Sequence, residues 1–292
     1  MRVTQSMLAN NMLRNLSNSY GQMGKYQEQL STGKKISKPS DDPVVAMKGI
    51  NYRSQLTEVK QYQRNIGEVH NWMDNSDSAL DKATQAMQRI RELTVEASND
   101  TYESGQRGNI AKEIRQMKDH LASIANTKVN DKYIFNGANT TEAPVDTDTT
   151  TVNSSSSNVD IAVSAGVSIN ANVTGDKVFS QKLFDDLDKF ADALEDPNST
   201  GEDLDGYLDT FDTHINNIVN TRADLGARMN RVDLIEDRLQ TQEVTATQMM
   251  SDNEDADIEK VITNLKTQES VHRAALSVGS RIIQPTLMDF LR

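Results

Sequence analysis

The side chains that most often carry chemistry are few in this sequence, and they are scattered. The four histidines are His70, His120, His214 and His272. None has a second histidine or a carboxylate set at a zinc-ligand spacing such as H-E-x-x-H, so each is expected on the surface of a helix. The segment Asp146-x-Asp148-x-Thr150 begins like a calcium loop. It fails further on, because Thr151 stands where the sharp turn needs glycine and Ser157 where the bidentate glutamate belongs. The glycines form neither a G-x-G-x-x-G nor a P-loop, and no serine lies in a G-x-S-x-G elbow. With no cysteine in the chain, a thiolate nucleophile, a thiolate metal site and a disulfide framework are all excluded. The expectation is a protein that is not an enzyme, with no catalytic, cofactor-binding or metal-binding residue.

Composition narrows the partners. The 292 residues are 25% charged and 36% hydrophobic, with a formal net charge of −12. An acidic chain is poorly suited to a phosphate backbone, which demands clustered Lys and Arg, so no nucleic acid partner is expected. No stretch approaches the roughly 20 apolar residues of a membrane-spanning helix, and no membrane partner is expected either. The amino end, Met1-Arg2-Val3-Thr4-Gln5-Ser6, lacks the apolar core of a cleavable signal peptide. The chain is therefore expected to be soluble, or exported by another route. Its charge is unevenly placed: residues 1–40 carry six bases and one acid, residues 140–212 sixteen acids and three lysines, and residues 260–292 five bases and two acids. Basic ends flank an acidic middle.

Proline placement exposes the elements. Pro39, Pro43, Pro144, Pro197 and Pro285 leave 44–143 and 198–284 free for long helices. From Val59, steps of three and four reach Tyr62, Ile66, Val69, Met73, Ser76, Leu80, Ala83, Met87, Ile90, Thr94 and Ala97, the spacing of a coiled-coil seam. Ile110, Ile114, Met117, Leu121 and Ile124 make a second seam, after a Gly105 and Gly108 interruption expected to reverse the chain into an antiparallel hairpin. The same stepping through Leu204, Leu208, Phe211, Ile215, Ile218, Arg222, Leu225, Met229, Val232, Glu236 and Leu239 predicts a third long helix. It can close the bundle.

Both ends are amphipathic as well. Leu13, Leu16, Tyr20, Met23 and Leu30 recur at helical spacing in the first arm. Val261, Leu265, Val271, Ala275, Val278 and Ile282 do so less strictly in the last, with Leu287 and Leu291 beyond. Such seams, rich in polar residues, need partner helices, because propensity alone stabilises a single helix little. The acidic run from Asp252 to Glu259 suits the amino end of the last helix. Residues 138–180 differ in chemistry: Val159, Ile161, Val163 and then Val167, Ile169, Ala171, Val173 alternate with polar residues around Ala165-Gly166. That predicts a half-buried β-hairpin. The Thr/Ser run 147–158 is expected to be an exposed or poorly ordered loop, and the whole insert to be removable without loss of the bundle.

Several of these segments resemble one family. Leu30-Ser31-Thr32-Gly33-Lys34-Lys35-Ile36 followed by Pro39-Ser40-Asp41-Asp42-Pro43 is similar to the amino-terminal signature of the bacterial flagellin superfamily. Gln88-Arg89-Ile90-Arg91-Glu92-Leu93-Thr94-Val95-Glu96-Ala97 resembles its long bundle helix, and Ile134-Phe135-Asn136-Gly137 the turn after the hairpin. The stretch from Asn220-Thr221-Arg222-Ala223-Asp224-Leu225 to Gly226-Ala227-Arg228-Met229-Asn230-Arg231 resembles the carboxy-side bundle helix, and Asn172 to Phe179 is also family-like. Asp41-Asp42-Pro43, where filament subunits usually have Asp-Asp-Ala, the start Met1-Arg2-Val3-Thr4 and the end Met288-Asp289-Phe290-Leu291-Arg292 favour a member at the junction of hook and filament over the filament subunit itself.

The resemblance implies a mainly α fold: a long antiparallel coiled-coil bundle built from both termini, with a small β-rich insert. The organisation expected is an assembly helix and loop over 1–40, bundle halves over 41–137 and 181–255, the insert over 138–180, and a second assembly helix over 256–292. The terminal seams named above, from Leu13 to Leu30 and from Leu265 to Leu291, become the assembly interface, with Asp41, Asp42 and Pro43 in the loop joining helix to bundle. The implied partners are neighbouring copies of the chain, an adjacent hook-associated protein, flagellin, and a cytoplasmic export chaperone on the carboxy-terminal helix. The implied location is the extracellular flagellum, reached through the flagellar type III apparatus. No cofactor is implied.

Overall fold

The computed structural model describes residues 5–98 and 104–283. In chain order the helices are α1 (Gln5–Thr32), α2 (Pro43–Ala97), α3 (Ser104–Ala125), the single turn α4 (Gly175–Val178), α5 (Gln181–Glu195), α6 (Gly201–Glu254) and α7 (Ile258–Ile283). Four short strands lie between α3 and α4: β1 (Lys128–Val129), β2 (Lys132–Tyr133), β3 (Asp160–Ser164) and β4 (Val167–Asn170). The architecture is mainly α, with two small antiparallel sheets in the insert. The chain divides into two compact units, residues 59–241 and residues 1–58 with 242–292.

In the first unit the seams predicted by spacing are the core. On α2, Ile66, Val69, Met73, Ser76, Leu80, Ala83, Met87, Ile90, Thr94 and Ala97 are all buried, with Val59 and Tyr62 packed at the margin. Ser76 and Thr94 fit there because their hydroxyls donate to the carbonyls of Trp72 and Ile90, each at 2.8 Å, so no buried donor is left unpaired. Ionic contacts reveal the helix directions. Along α2, His70, Arg222's partners Asp77 and Asp81, and Arg91 meet Glu236, Arg222 and Asp212 in falling order on α6. The two helices are antiparallel. The same inversion relates Arg115 and Lys118 of α3 to Glu195 and Asp188 of α5, and Asp186 and Phe190 of α5 to His214 and Tyr207 of α6.

Two polar residues interrupt the predicted α6 seam, and both are explained by cross-helix pairs. Arg222, half-buried, places Nε 2.7 Å from Asp77 Oδ1 and Nη1 2.5 Å from Asp81 Oδ1, and these bonds raise its pKa above the usual guanidinium value. Glu236 faces His70. His214 departs from the expectation of a surface histidine. It is buried, with Nε2 3.0 Å from Asp186 Oδ2, because α5 lays Asp186 over the α6 face that carries it. Gly105 and Gly108 lie inside α3 rather than at the reversal; the break between α2 and α3 includes 99–103, outside the described residues.

The insert is more ordered than its Thr/Ser composition suggests. β1 and β2 turn over Asn130 and Asp131, with φ of 50° and 62°, and β3 and β4 turn at Gly166 with φ 70°. Short polar side chains then pin the loops. Asn136 Oδ1 accepts from Ser155 N at 2.7 Å, Asn126 exchanges bonds with both backbone groups of Val145, and Asp146 Oδ1 accepts from the amides of Asp148 and Thr149. Those two amides hold the Asp146 carboxyl below its ordinary pKa. Gly137 (φ 56°) cannot be replaced freely, since a Cβ there would stand 2.6 Å from the carbonyl oxygens of Ser155 and Ser157.

The insert also shares the bundle's core. Val145, Val163, Ile169, Ala171, Val173, Val178 and Phe179 are buried in the same apolar cluster as the α2 and α6 seams. The Phe179 ring meets Phe135 edge-on at 5.1 Å. Arg228 of α6 donates to the carbonyls of Asn170 and Asn172, and Asn65 of α2 to that of Ala162 at 2.7 Å. Short strands cannot bury enough apolar surface by themselves, so they take the bundle as their second layer.

Candidate assembly surfaces

In the second unit α1 and α7 run antiparallel. Ser19 accepts a 2.9 Å hydrogen bond from Gln268, the Tyr20 ring lies 6.3 Å from that of His272, and a Cβ on Gly279 would overlap the Met12 side chain. From Met12 to Ser19 on α1, the facing residue on α7 falls from Gly279 to Gln268. Met12, Leu13, Leu16, Leu276, Gly279 and Ser280 line an apolar cavity of about 250 Å³ between the pair. Small residues at Gly279 and Ser19 allow close approach here, where a larger side chain would hold the helices apart.

The terminal residues singled out by spacing divide into two groups. Leu16, Met23, Leu30, Leu265 and Ala275 are half-buried. Leu13, Tyr20, Val271 and Val278 are exposed, Val278 by 57%. Ile282's side chain, Leu287 and Leu291 lie outside the described residues. On α7 it is Gly279 that faces α1, while its neighbour Val278 points away from that contact. Successive helical residues differ by about 100° in direction, so one position decides which face meets α1. Met7 and Leu8 on α1, with Ile258, Ile262, Val271, Leu276 and Val278 on α7, remain uncovered. Two amphipathic helices have satisfied one side of each other and left apolar residues in water.

The loop residues have local duties. Asp42 is the amino-terminal cap of α2: its Oδ1 accepts from Val44 N at 3.0 Å and Val45 N at 3.1 Å. Pro43 follows as the first helical residue, where the missing N–H costs nothing. Asp41 accepts from the amides of Ser37 and Lys38, and these bonds lower its pKa. At the end of the second long helix, Asp257 caps α7 by accepting from Lys260 N at 3.1 Å.

A clamp that spacing did not reveal ties the two connecting loops together. Lys34 and Asp255 pair as a β-bridge, Lys35 N donates to Glu254 O at 2.7 Å and Ala256 N to Gly33 O at 2.8 Å. Around this backbone seam, Lys34 Nζ lies 2.6 Å from Asp255 and 3.6 Å from Glu254, while Arg53 Nη2 lies 2.7 Å from the buried Glu254 carboxylate. Gly49 is bare because a Cβ would meet that carboxylate. The signal was present only as opposite signs: a basic run at 34–38 and an acidic run at 252–259.

The clamp's pH dependence follows from its partners. The hydrogen bond from Lys34 lowers the Asp255 pKa, and the bond to Asp255 raises that of Lys34. A depressed carboxylate stabilises the fold above its unfolded value near 3.9 and loses that contribution as pH falls through the lower folded value. A raised lysine contributes below about 10.4 and loses it as pH rises further. The pair is thus complete between about pH 5 and 9. Both side chains are over two-fifths exposed, so the contribution is that of a screened surface pair. Lys34→Met is expected to lower amide exchange protection at Lys35 and Ala256 by about twofold to fivefold at pH 7, with none at Leu80; hydrogen-exchange mass spectrometry reads both.

The order of elements, long helices in both halves of the chain with a smaller insert between them in sequence, defines a class. The model for the bacterial flagellin N-terminal helical region matches residues 3–140, and that for the C-terminal helical region matches residues 208–291. The chain belongs to the bacterial flagellin family. Within it, the chain is similar to flagellar hook-associated protein 3 of Escherichia coli (strain K12), with 28% identity over 300 residues that span 94% of this chain and 95% of that protein. It is also similar to the flagellin of Bacillus subtilis (strain 168), with 25% identity over 290 residues and 94% of each chain. The crystal structure of the flagellar junction protein from Legionella pneumophila shares the fold, with a TM-score of 0.60 at 14% identity over 71% of this chain and 100% of that one. Among the described residues, no helix is long and apolar enough to cross a membrane.

Proposed function

We infer that this chain is a structural, axial component of the bacterial flagellum, set at the junction between hook and filament and not an enzyme. The observation that carries the reading is the antiparallel α1–α7 pair with its uncovered apolar residues, in a chain that matches a hook-associated protein over 94% of its length. A helix pair that leaves Val271, Leu276 and Val278 in water gains by packing against further helices. Neighbouring copies of the chain supply them, and the terminal helices then form the inner wall of a tube. Leu13, Leu16, Tyr20, Met23 and Leu30 with Leu265, Val271, Ala275, Val278, Ile282, Leu287 and Leu291 make that interface. An adjacent hook-associated protein contacts one end of the layer and flagellin the other. A cytoplasmic chaperone covers the carboxy-terminal helix before export through the flagellar type III apparatus to the extracellular flagellum.

Electron microscopy of shed flagella with this chain gold-labelled tests the position. One focus of label at the hook end of each filament is expected. Label distributed along the whole filament would make the chain a filament subunit and overturn the junction reading.

A further inference from the structure

His70 on α2 and the pair Asp233 and Glu236 on α6 converge across the bundle, although no local spacing announced them. His70 Nε2 lies 3.1 Å from Glu236 Oε2 and 3.6 Å from Asp233 Oδ1, and one donor atom from each of the three lies within 4.8 Å of the others. Donors 2.0–2.2 Å from a tetrahedral ion stand about 3.3–3.6 Å apart, so these two edges already lie near those of a tetrahedral site. The helices that hold them are fixed by buried neighbours, Val69 and Met73 on α2 and Val232 and Ile235 on α6. The three groups therefore sit on rigid backbone.

A hydrogen bond alone leaves this cluster incomplete. A proton on His70 Nε2 can serve Glu236, but Asp233 at 3.6 Å is beyond hydrogen-bond reach. The two carboxylates, one helical turn apart, repel each other. Among the described residues, no ion pair joins either of them to a cation other than His70. A dication at the centre would satisfy all three donors at once. The imidazole selects against calcium and magnesium, which prefer all-oxygen shells, and favours an ion of the zinc class.

We propose that His70, Asp233 and Glu236 bind one divalent cation of the zinc class, which cross-links α2 to α6. Side-chain exposures of 26%, 61% and 40% leave the fourth position open to water. The ion acts as a staple between the two longest helices of the chain. It raises the stability of unit 59–241 by binding the folded arrangement and not the separated helices.

Titration of the full chain with zinc chloride in metal-stripped buffer tests this, read by calorimetry and by the thermal transition, with cobalt(II) absorption as a probe of geometry. One equivalent per chain is expected, with an upward shift of about 5 °C in the transition at saturating zinc. Affinity should fall at least about tenfold in His70→Ala and in Glu236→Gln, and stay unchanged in His120→Ala. Intense visible bands of four-coordinate cobalt should appear in the parent and vanish in His70→Ala. If His70→Ala fails to fold, Glu236→Gln decides alone. No saturable binding, or equal binding by Glu236→Gln, would overturn the proposal. So would calcium binding as tightly as zinc, since that describes a diffuse acidic surface.

Discussion

Val271→Asp with Val278→Asp is expected to leave the thermal transition of the free monomer within about 2 °C of the parent while abolishing assembly into flagella. Both valines are more than half exposed on α7, so in the monomer the new carboxylates stay hydrated. In a wall of packed terminal helices each would lose that hydration without a cation beside it, at about several kcal/mol apiece before relaxation or protonation. Cells carrying the double variant should lose filaments and motility and shed flagellin into the medium, as immunoblots of supernatant would read. The monomer's transition comes from circular dichroism on purified protein. A variant that assembles normally would show that these valines face solvent in the flagellum too. A variant that melts much earlier would mean that this face of α7 is already covered in the monomer. Gly279→Leu, one residue from Val278, should differ in kind, because its side chain drives into Met12 and disrupts the α1–α7 pair itself.

Phe179→Ala is expected to destabilise unit 59–241 by about 3–5 kcal/mol, lowering its thermal transition by about 10 °C. The ring is 1% exposed and rests edge-on against Phe135, between the insert and the bundle. Truncation opens a cavity beside Phe135, whose backbone carbonyl is held by Gly175 N at 2.9 Å. Replacing residues 140–178 by a Gly/Ser linker should act in the same direction and further, because it strips a whole apolar layer from the shared cluster. Thermal and urea unfolding of both variants decide the matter. Unchanged transitions would show that the bundle folds without the insert, as its sequence suggests.

What the insert packs against was not legible in the sequence, for a definable reason. Period-two alternation identifies which residues of a strand face inward, and the buried positions Val163, Ile169, Ala171 and Val173 follow it. Alternation does not say what lies beneath the sheet. The polar loop 147–158 is exposed over most of its length as its composition suggests, but part of its order comes from Asn136 and Gln181, which lie outside it. Composition measures the burial a segment can supply, not the hydrogen bonds its neighbours provide.

The sequence by itself determined the long helices and their seams, though not α5, whose face no stepping picked out. Every α2 position from Ile66 to Ala97 taken at three-four spacing is buried, and Asp42-Pro43 begins α2 as an aspartate cap followed by proline should. These are short-range consequences of 3.6 residues per turn and of four unpaired amides at a helix start, so a window of a few residues contains them. Tertiary structure alone decided which helix faces which, and in what stagger. Lys34 meets Asp255 across 221 positions, Arg222 meets Asp77 across 145 and His70 meets Glu236 across 166. Rotational phase and stagger arise from the packing of one seam into another, and a shift of one residue would have sent Val278 rather than Gly279 toward α1. Local periodicity determines that a face exists; the partner helix determines which residues it covers and which it leaves for another chain.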